Sequence, residues 1–411
     1  MGERRVAPFY QPPSLLLQQL RSALLIRRLT GWTKLPWWTT QSNKIFRIAA
    51  GCQGVGCFGY RVHPVWEVTS KCNLKCEHCH ARGGESDGQD ELTTEEGKKR
   101  VIDALAEVAD FKSLIFSGGE PLVREDIFDL IAHAKARGFY PILATNATLI
   151  TKEVARKLKA AGTLGIAASI DSTKDEVHDA FRRQSGALKM AREGIANASA
   201  EGMYIQINIT ASKINKDELP QILDYADQLR AHVILLYQFI PSGRGQDSSG
   251  LELTTEEFRD EIINAGLAQK NLHPVIAPVG LPEYWALHNV KRNGGKASDI
   301  LRGCICGNGM FYIKPNGEVW PCAFVPLSGG NLRTKSPAEI WTGAKLFSDL
   351  RDRSNLKGKC HDCSQREICG GCRARSFART GDLFAEDDRC PLTEEERSGR
   401  RANQPNSMAQ A

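Results

Sequence analysis

Three cysteines that lie close together are the residues with the clearest capacity for chemistry. They are Cys72, Cys76 and Cys79, in the segment Cys-Asn-Leu-Lys-Cys-Glu-His-Cys. A loop with this spacing can hold three irons of a four-iron cluster and leave the fourth iron without a protein ligand, open for catalysis. The same thiols could instead hold zinc, completed by His78 or His80, because structural zinc takes four Cys or His ligands.

Ten further cysteines raise the total to 13 in 411 residues. The number is odd, and most of the cysteines stand in CxxC-type spacings. In a chain without a recognisable signal peptide, this pattern indicates metal or cluster ligation rather than disulfide bridges. Cys52 and Cys57 could be an extra ligand pair or free loop thiols. The other eight are Cys304, Cys306, Cys322, Cys360, Cys363, Cys369, Cys372 and Cys390.

Six short apolar runs predict strands, and the amphipathic segments between them predict helices. A series of strand-helix units implies a parallel sheet with right-handed crossovers. We therefore predict an α/β fold, a (β/α)6 partial TIM barrel, with its site at the C-terminal ends of the strands. The predicted strands cover residues 63–69, 114–116, 140–145, 164–170, 204–210 and 232–240, and the predicted helices include 94–108, 125–137, 152–161, 188–200 and 216–229.

Small and polar residues follow several of the predicted strands, where a barrel places its site. Ser117, Gly118, Gly119 and Glu120 follow the second strand. The glycine pair lets the backbone approach a ligand, and Glu120 offers an acceptor for an ammonium group. The ends of the next three strands carry Thr145, Asn146, Ser169, Asp171 and Asn208.

The three-cysteine loop and these strand-end residues, in this order, resemble the radical S-adenosylmethionine (SAM) superfamily. The resemblance implies that Cys72, Cys76 and Cys79 hold a [4Fe-4S] cluster whose open iron chelates SAM. Reductive cleavage of SAM would then give a 5′-deoxyadenosyl radical. The residues implied to contact SAM are Ser117, Gly118, Gly119 and Glu120 at the methionyl amine, Ser169 and Asp171 at the ribose, Arg182 near the carboxylate or ribose, and Asn146, which could instead only cap a turn.

The C-terminal cysteines resemble the SPASM domain of radical-SAM maturases. The resemblance rests on a GxxxxC segment at residues 317–322 and on four cysteines spaced CxxCx5CxxC between residues 360 and 372. It implies one or two auxiliary [4Fe-4S] clusters. One would take Cys304 or Cys306, or both, with Cys322 and Cys372, and the other would take Cys360, Cys363, Cys369 and Cys390.

Basic charge is concentrated at the N-terminal end. Residues 1–50 carry eight basic residues and one acidic residue, so this segment accounts for the chain's net charge of +6. The main body therefore offers no broad nucleic-acid-binding face. No apolar run approaches the ~20 residues of a membrane span, and we expect a cytoplasmic protein.

Changes in composition predict five segments. A basic and aromatic extension covers residues 1–60, and the barrel core covers 61–250, ending at the turn-rich segment 241–245. A linker with a helix follows at 251–300. The SPASM-like domain covers 301–393 and has few long apolar runs, so its fold is expected to depend on bound metal. The polar tail at 394–411 is expected to be disordered.

The resemblance implies an enzyme that cleaves SAM and modifies a peptide side chain as a maturase. The alternative substrate is a tetrapyrrole of the haem pathway or a metal-pterin cofactor, because residues 371–376 and 380–387 resemble segments of such members. A non-catalytic iron-sulfur electron carrier is the alternative from another class, but a carrier does not need the residues after the second strand. The expected partner is a reductant such as flavodoxin or ferredoxin. The sequence assigns no catalytic side chain beyond the cofactor ligands.

Overall fold

The structure is a computed structural model that describes residues 63–109, 111, 113–269, 271–293 and 303–398. The predicted extension at residues 1–60, with Cys52 and Cys57, lies outside the described residues. Within the described ranges, no helix combines the length and the apolar character of a membrane span.

A ten-stranded sheet organises the described residues, in the order β10-β9-β8-β1-β2-β3-β4-β5-β6-β7. Strands β1 to β7 run parallel, and β8 pairs parallel with the other side of β1. Strands β9 and β10 extend that edge in antiparallel pairing. The strands are β1 His63–Glu67, β2 Ser113–Ser117, β3 Tyr140–Thr145, β4 Gly165–Ser169, β5 Tyr204–Ala211, β6 Val233–Gln238, β7 Val275–Val279, β8 Met310–Ile313, β9 Glu318–Trp320 and β10 Gly330–Asn331.

The predicted partial barrel is confirmed, since β1 to β6 are the six predicted strands in the predicted order. Two additions were not anticipated. Strand β7 lies in the segment predicted as a linker and pairs with β6. Strand β8 comes from the cysteine-rich part and pairs with β1. Backbone hydrogen bonds therefore attach the cysteine-rich part to the barrel sheet.

Helices carry the chain between the parallel strands. The first is started by a capping box between Thr93 and Glu96. Its Gly97 packs on Trp66, where an added Cβ would lie 2.4 Å from the indole ring. The helices are Thr94–Glu96, continued by the π-helical Gly97–Asp103 and by Ala104–Ala106, then Ile127–Ala136, Lys152–Ala161, Asp175–Arg182, Ala187–Ala200, Leu219–Gln228, Thr255–Ala268, Pro282–Asn293, Pro337–Gly343, Lys345–Arg351, Gly358–His361, Arg373–Thr380 and Glu394–Ser398.

The two faces of the barrel sheet meet different surroundings. On β5, Ile205 and Ile207 belong to the main core of buried apolar side chains. The alternate residues Gln206, Asn208 and Thr210 line a cavity inside the barrel. This alternation follows from the two-residue period of a strand. It means that the barrel interior is partly open and partly polar.

The first residues of the predicted disordered tail, Glu394–Ser398, form a short helix. The Thr393 hydroxyl caps it by accepting the Glu396 N–H at 3.2 Å. Arg259 donates two hydrogen bonds to the Glu396 carboxylate, at 2.8 and 2.9 Å. The contact with Arg259 spans 137 positions of the sequence, which is why local composition did not indicate it.

Candidate active site

A cavity of about 330 Å³ runs along the interior of the barrel. The loop after β1 borders it with Cys72, Cys76 and Cys79, and four cysteines of the C-terminal part border it as well. Much of the wall consists of apolar strand side chains, such as Ile115 and Ile142. The fold thus places two distant cysteine groups around one largely apolar space.

Each thiol of the three-cysteine loop accepts a hydrogen bond. A backbone N–H lies 3.3 Å from Sγ of Cys72, and another lies 3.3 Å from Sγ of Cys79. Nη1 of Arg182 lies 3.6 Å from Sγ of Cys76. Donors directed at sulfur favour the thiolate over the thiol. For Cys72 and Cys76 these donors oppose, but do not cancel, the rise in pKa that burial causes.

The turn after β2 packs against the backbone just before the three-cysteine loop. The N–H of Gly119 donates to the carbonyl oxygen of Thr69 at 2.8 Å. A Cβ on Gly118 would lie 2.5 Å from the same oxygen, and one on Gly119 would lie 2.3 Å from the Lys71 carbonyl oxygen. Both glycines are therefore needed for the close packing of this turn on the backbone of Thr69 and Lys71. Both glycines and Ser117 also line the cavity.

The carboxyl of Glu120 faces the protein, and Glu120 is not among the residues that line the cavity. It accepts hydrogen bonds from the Thr145 hydroxyl at 2.8 Å, the Asn146 N–H at 2.8 Å and the Leu122 N–H at 3.1 Å. Burial raises the pKa of Glu120 to about 7, although these hydrogen bonds oppose the rise. In this structure the carboxyl links the ends of β2 and β3 through these hydrogen bonds. It does not point into the cavity, where the expected contact with an ammonium group would be made.

Asn146 and Ser169 both line the cavity, as expected for SAM contacts. The Asn146 amide donates to the Asn73 side chain in the three-cysteine loop at 2.8 Å. Its oxygen accepts the N–H of Thr148 at 2.9 Å and so caps the turn after β3. The two interpretations of Asn146 are therefore compatible, since it caps a turn and borders the cavity.

Asp171 and Arg182 form a buried ion pair, of which Arg182 lines the cavity. The second carboxyl oxygen of Asp171 accepts the N–H of Thr210 at 2.9 Å. Burial alone would raise the pKa of Asp171, but the Arg182 guanidinium, together with smaller contributions from His78, His178 and the Thr210 N–H, holds this pKa below its usual value. Asp171 thus anchors Arg182, whose other end reaches the Cys76 thiol.

Several residues that the sequence reasoning did not select also line the cavity. Gln206 and Thr210 flank Asn208 on the inner face of β5, and alternation along that strand could have indicated them. Tyr312 lies on β8, where its hydroxyl donates to Glu67 at 2.5 Å and lies 3.1 Å from the His80 imidazole. No local sequence pattern predicts the contacts of Tyr312 with Glu67 and His80, because β8 lies beside β1 only in the tertiary fold.

The eight C-terminal cysteines fall into two groups in space. One group lines the cavity, and two of its members, Cys306 and Cys322, are hydrogen-bonded to each other. The other group lies outside the cavity lining. Burial raises the pKa of the Cys390 thiol, and negative charge on Glu283, Asp387 and Cys360 adds to the rise, so Cys390 and Cys360 interact. Group A is Cys304, Cys306, Cys322 and Cys372, and group B is Cys360, Cys363, Cys369 and Cys390.

Two family models match the three-cysteine loop and part of the cysteine-rich segment. The model of the radical SAM superfamily matches residues 66–226, and that of the SPASM iron-sulfur cluster-binding domain matches residues 304–364. The AdoMet-dependent heme synthase of Methanosarcina barkeri is 35% identical over 336 residues, which cover 79% of this chain and 95% of that protein. The chain belongs to the radical SAM superfamily.

Other relatives of this radical SAM enzyme carry different names. The pre-heme d1 synthase of Dinoroseobacter shibae is 30% identical, with 80% of this chain and 86% of that protein covered. The mycofactocin maturase MftC of Mycolicibacterium smegmatis is 31% identical, with coverage of 81% and 84%. The SuiB structure of Streptococcus suis bound to S-adenosylmethionine has a TM-score of 0.64 at 17% identity, covering 81% of this chain and 78% of that one, and it shows the same fold.

The cofactors of this radical SAM enzyme are a [4Fe-4S] cluster, SAM and auxiliary iron-sulfur clusters. The cavity fits them, because it combines thiols with a glycine-lined turn and a cationic side chain. Burial raises the pKa of Cys72 to about 12, so its thiolate needs a metal cation for stability.

Replacing Glu120 by Gln is expected to lower the free energy of unfolding by about 1–3 kcal/mol. The amide supplies one acceptor oxygen and turns an NH2 group toward the partly buried N–H donors of Leu122 or Asn146, leaving a donor without an acceptor. Urea unfolding of the cluster-loaded protein measures this. Glu153→Gln is the control, because Glu153 is exposed and pairs with Lys157 on the surface. Equal stability of the two variants would contradict the role assigned to Glu120.

A buried charge cluster connects group B, group A and the edge of the barrel. Arg375 donates to Glu283 at 2.9 Å, to Asp387 at 2.6 Å and to the carbonyl of Gly280 after β7 at 3.0 Å. The carboxyl of Asp387 accepts the N–H of Cys372 at 2.8 Å, while its own N–H donates to Sγ of Cys360 at 3.3 Å. Arg375 and Asp387 lie in the two segments, 371–376 and 380–387, that stood out in the sequence.

Replacing Arg375 by Met is expected to cost about 3–5 kcal/mol of stability, because it leaves two buried carboxyls without their cation. Arg379→Met is the matched control. Arg379 lies one turn later on the same helix, its side chain is 33% exposed, and it also contacts two carboxylates, so we expect a loss of about 1 kcal/mol or less. Urea unfolding under anaerobic conditions measures both. A similar loss in the two variants would show that the buried cluster contributes little.

Proposed function

We propose that this enzyme removes carboxyl groups from the propionate side chains of a haem-pathway tetrapyrrole. The observation that carries the proposal is the agreement of relatives that span most of the chain. Proteins at 35% and 30% identity are named AdoMet-dependent heme synthase and pre-heme d1 synthase. The peptide maturase expected from the sequence is the second candidate, favoured by the mycofactocin maturase at 31% identity.

The lining of the cavity supports a largely apolar substrate. Apolar side chains from β1, β2, β3 and β6, including Val65, Ile115, Ile142 and Leu235, line it. Ligand sites of this kind use apolar walls for affinity and a few polar groups for orientation. Here the polar groups are Asn208 and its neighbours on β5, together with the cationic Arg182. A macrocycle with an apolar ring and carboxylate side chains matches this distribution.

Residues of the cavity have distinct proposed roles in holding the cofactors. The thiols of Cys72, Cys76 and Cys79 would hold the SAM-binding cluster, with Ser117, Gly118, Gly119, Asn146 and Ser169 around SAM. Arg182, oriented by Asp171, would meet the cluster thiolate or the SAM carboxylate. When bound, the cluster and SAM together supply a 5′-deoxyadenosyl radical that abstracts a hydrogen atom from the substrate.

The chemistry requires an electron acceptor. Loss of one hydrogen atom, one carbon dioxide and one electron converts a propionate side chain into a vinyl group. We propose that group A receives this electron, because it lines the same cavity as the three-cysteine loop. Both Cys304 and Cys306 lie in group A, which leaves no iron of a four-iron cluster free for substrate. A flavodoxin or ferredoxin would supply the electron that cleaves SAM.

Anaerobic turnover with defined substrates tests this proposal. The cluster-loaded enzyme would be incubated with SAM, dithionite and iron coproporphyrin III, with reactions lacking SAM as controls. We expect one 5′-deoxyadenosine for each carbon dioxide lost from the macrocycle, measured by liquid chromatography and mass spectrometry. Formation of 5′-deoxyadenosine with an unchanged macrocycle, together with modification of a precursor peptide supplied in parallel, would overturn the tetrapyrrole proposal in favour of the maturase.

A further inference from the structure

The turn-rich segment at residues 241–245, which the sequence marked as the end of the core, packs directly on the three-cysteine loop. It follows β6 and begins the 3-10 helix Gly243–Leu251. Gly243 has φ +55°, and a Cβ there would lie 2.2 Å from the carbonyl oxygen of His80 and 2.6 Å from that of Cys79. The segment therefore approaches the loop closely enough to fix its backbone.

Arg244 makes most of the polar contacts between the two segments. Its Nη1 donates to the carbonyl oxygen of Cys76 and its Nη2 to that of Gly83, each at 2.7 Å. Its Nε donates to the Glu85 carboxylate at 2.7 Å, and its backbone N–H donates to the carbonyl of Cys79 at 2.9 Å. One side chain thus joins the second cysteine to the residues that follow the third.

The environment of Arg244 differs from that of an ordinary surface arginine. Arg244 is 6% exposed, whereas the Glu85 side chain, its carboxylate partner, is 40% exposed. Two of the three side-chain bonds therefore go to neutral carbonyl oxygens of the loop, and part of the positive charge is left for other partners. Arg182 approaches Cys76 at its sulfur, so it does not replace the contacts of Arg244 with the backbone.

We propose that Arg244 is a positioning residue for the SAM-binding cluster. It holds the backbone of the loop so that the thiols of Cys76 and Cys79 keep the separation that the cluster requires. Its buried positive charge also stabilises the reduced, more negative state of the cluster, since charge and hydrogen bonds near a cluster set its reduction potential. This inference rests on the cluster-ligand roles proposed above, and it does not depend on the identity of the substrate.

The test compares Arg244→Gln and Arg244→Lys in the cluster-loaded enzyme without substrate. For Arg244→Gln we expect a lower reduction potential of the SAM-binding cluster, measured by electron paramagnetic resonance (EPR) during redox titration. We also expect iron loss to a chelator from this cluster to be about 10–100-fold faster. Arg244→Lys keeps the charge but cannot reach both carbonyls. It should retain more of the potential and still lose iron faster than the parent enzyme.

Arg353→Gln is the matched control. Arg353 is also 6% exposed and donates to the carbonyl oxygen of a cysteine, Cys304 in group A, at 2.7 Å. It should leave the potential of the SAM-binding cluster unchanged, and an equal shift in this control would overturn the proposal. Parental potential and iron retention in Arg244→Gln would also overturn it. If Arg244→Gln is insoluble, iron retention in Arg244→Lys equal to that of the parent enzyme would overturn the proposal. A failed turnover of iron coproporphyrin III would not affect these readouts.

Discussion

Replacing Cys76 by Ala should remove about four irons per chain and abolish 5′-deoxyadenosine formation. Two remaining thiols cannot hold a cluster that has only three protein ligands. The loss should be confined to this cluster, because groups A and B are formed by other cysteines. Iron and sulfide analysis, EPR of the reduced protein and quantification of 5′-deoxyadenosine with dithionite measure the effect.

The reciprocal control for Cys76→Ala is a variant in group B, which leaves Cys72, Cys76 and Cys79 in place and should keep SAM cleavage. Arg182→Lys is a second control for iron content alone, because it alters the donor to the Cys76 thiol but leaves all three thiols in place, so the iron should stay bound. An unchanged iron content with intact SAM cleavage in Cys76→Ala would show that Cys76 is not a ligand and would remove the basis of the proposed site.

Replacing Cys363 by Ala should stop substrate turnover while SAM cleavage by a strong artificial reductant continues. Cys363 belongs to group B, which does not line the cavity. Its proposed cluster has four thiolate ligands and no open iron, so it can relay electrons but cannot bind substrate. The measurement is product formation and 5′-deoxyadenosine formation in the same anaerobic reaction, with EPR to count the remaining clusters.

The matched comparison for Cys363→Ala lies in group A. Cys304→Ala and Cys306→Ala should each lose the cluster that borders the cavity, since both residues lie there with Cys322. Loss in only one of them would mean a three-ligand cluster with an iron open to substrate. Full turnover by Cys363→Ala would refute the relay role of group B and favour a function in holding the C-terminal part together.

Local patterns determined the barrel and the position of its site. The alternation of apolar runs with amphipathic segments indicated β1 to β6 in the right order. Each strand buries its own side chains, so each leaves an apolar run in the sequence. The spacing of Cys72, Cys76 and Cys79 indicated a cluster loop, because ligands held by one loop are close in sequence. The strand-end residues Ser117, Asn146 and Ser169 line the cavity because parallel strands end at one edge of the sheet.

Only the tertiary structure decided which groups the carboxyls of Glu120 and Asp171 contact. Glu120 faces Thr145 and Asn146 instead of the cavity, and Asp171 anchors Arg182. Both carboxyls were visible in the sequence, but the direction of a side chain depends on which donors the neighbouring strands bring to it. Hydrogen-bond donors from distant segments leave no local signal.

The arrangement of the C-terminal cysteines shows the same division. The sequence supplied the eight thiols and their spacing, and it left open whether Cys304, Cys306 or both join Cys322. The pairing of β8 with β1 places the cysteine-rich part beside the three-cysteine loop, so that group A borders the cavity and group B does not. Residue types and local periodicity therefore determined the chemistry available to this protein. Contacts between segments more than a hundred residues apart, which have no periodicity of their own, decided where each group lies.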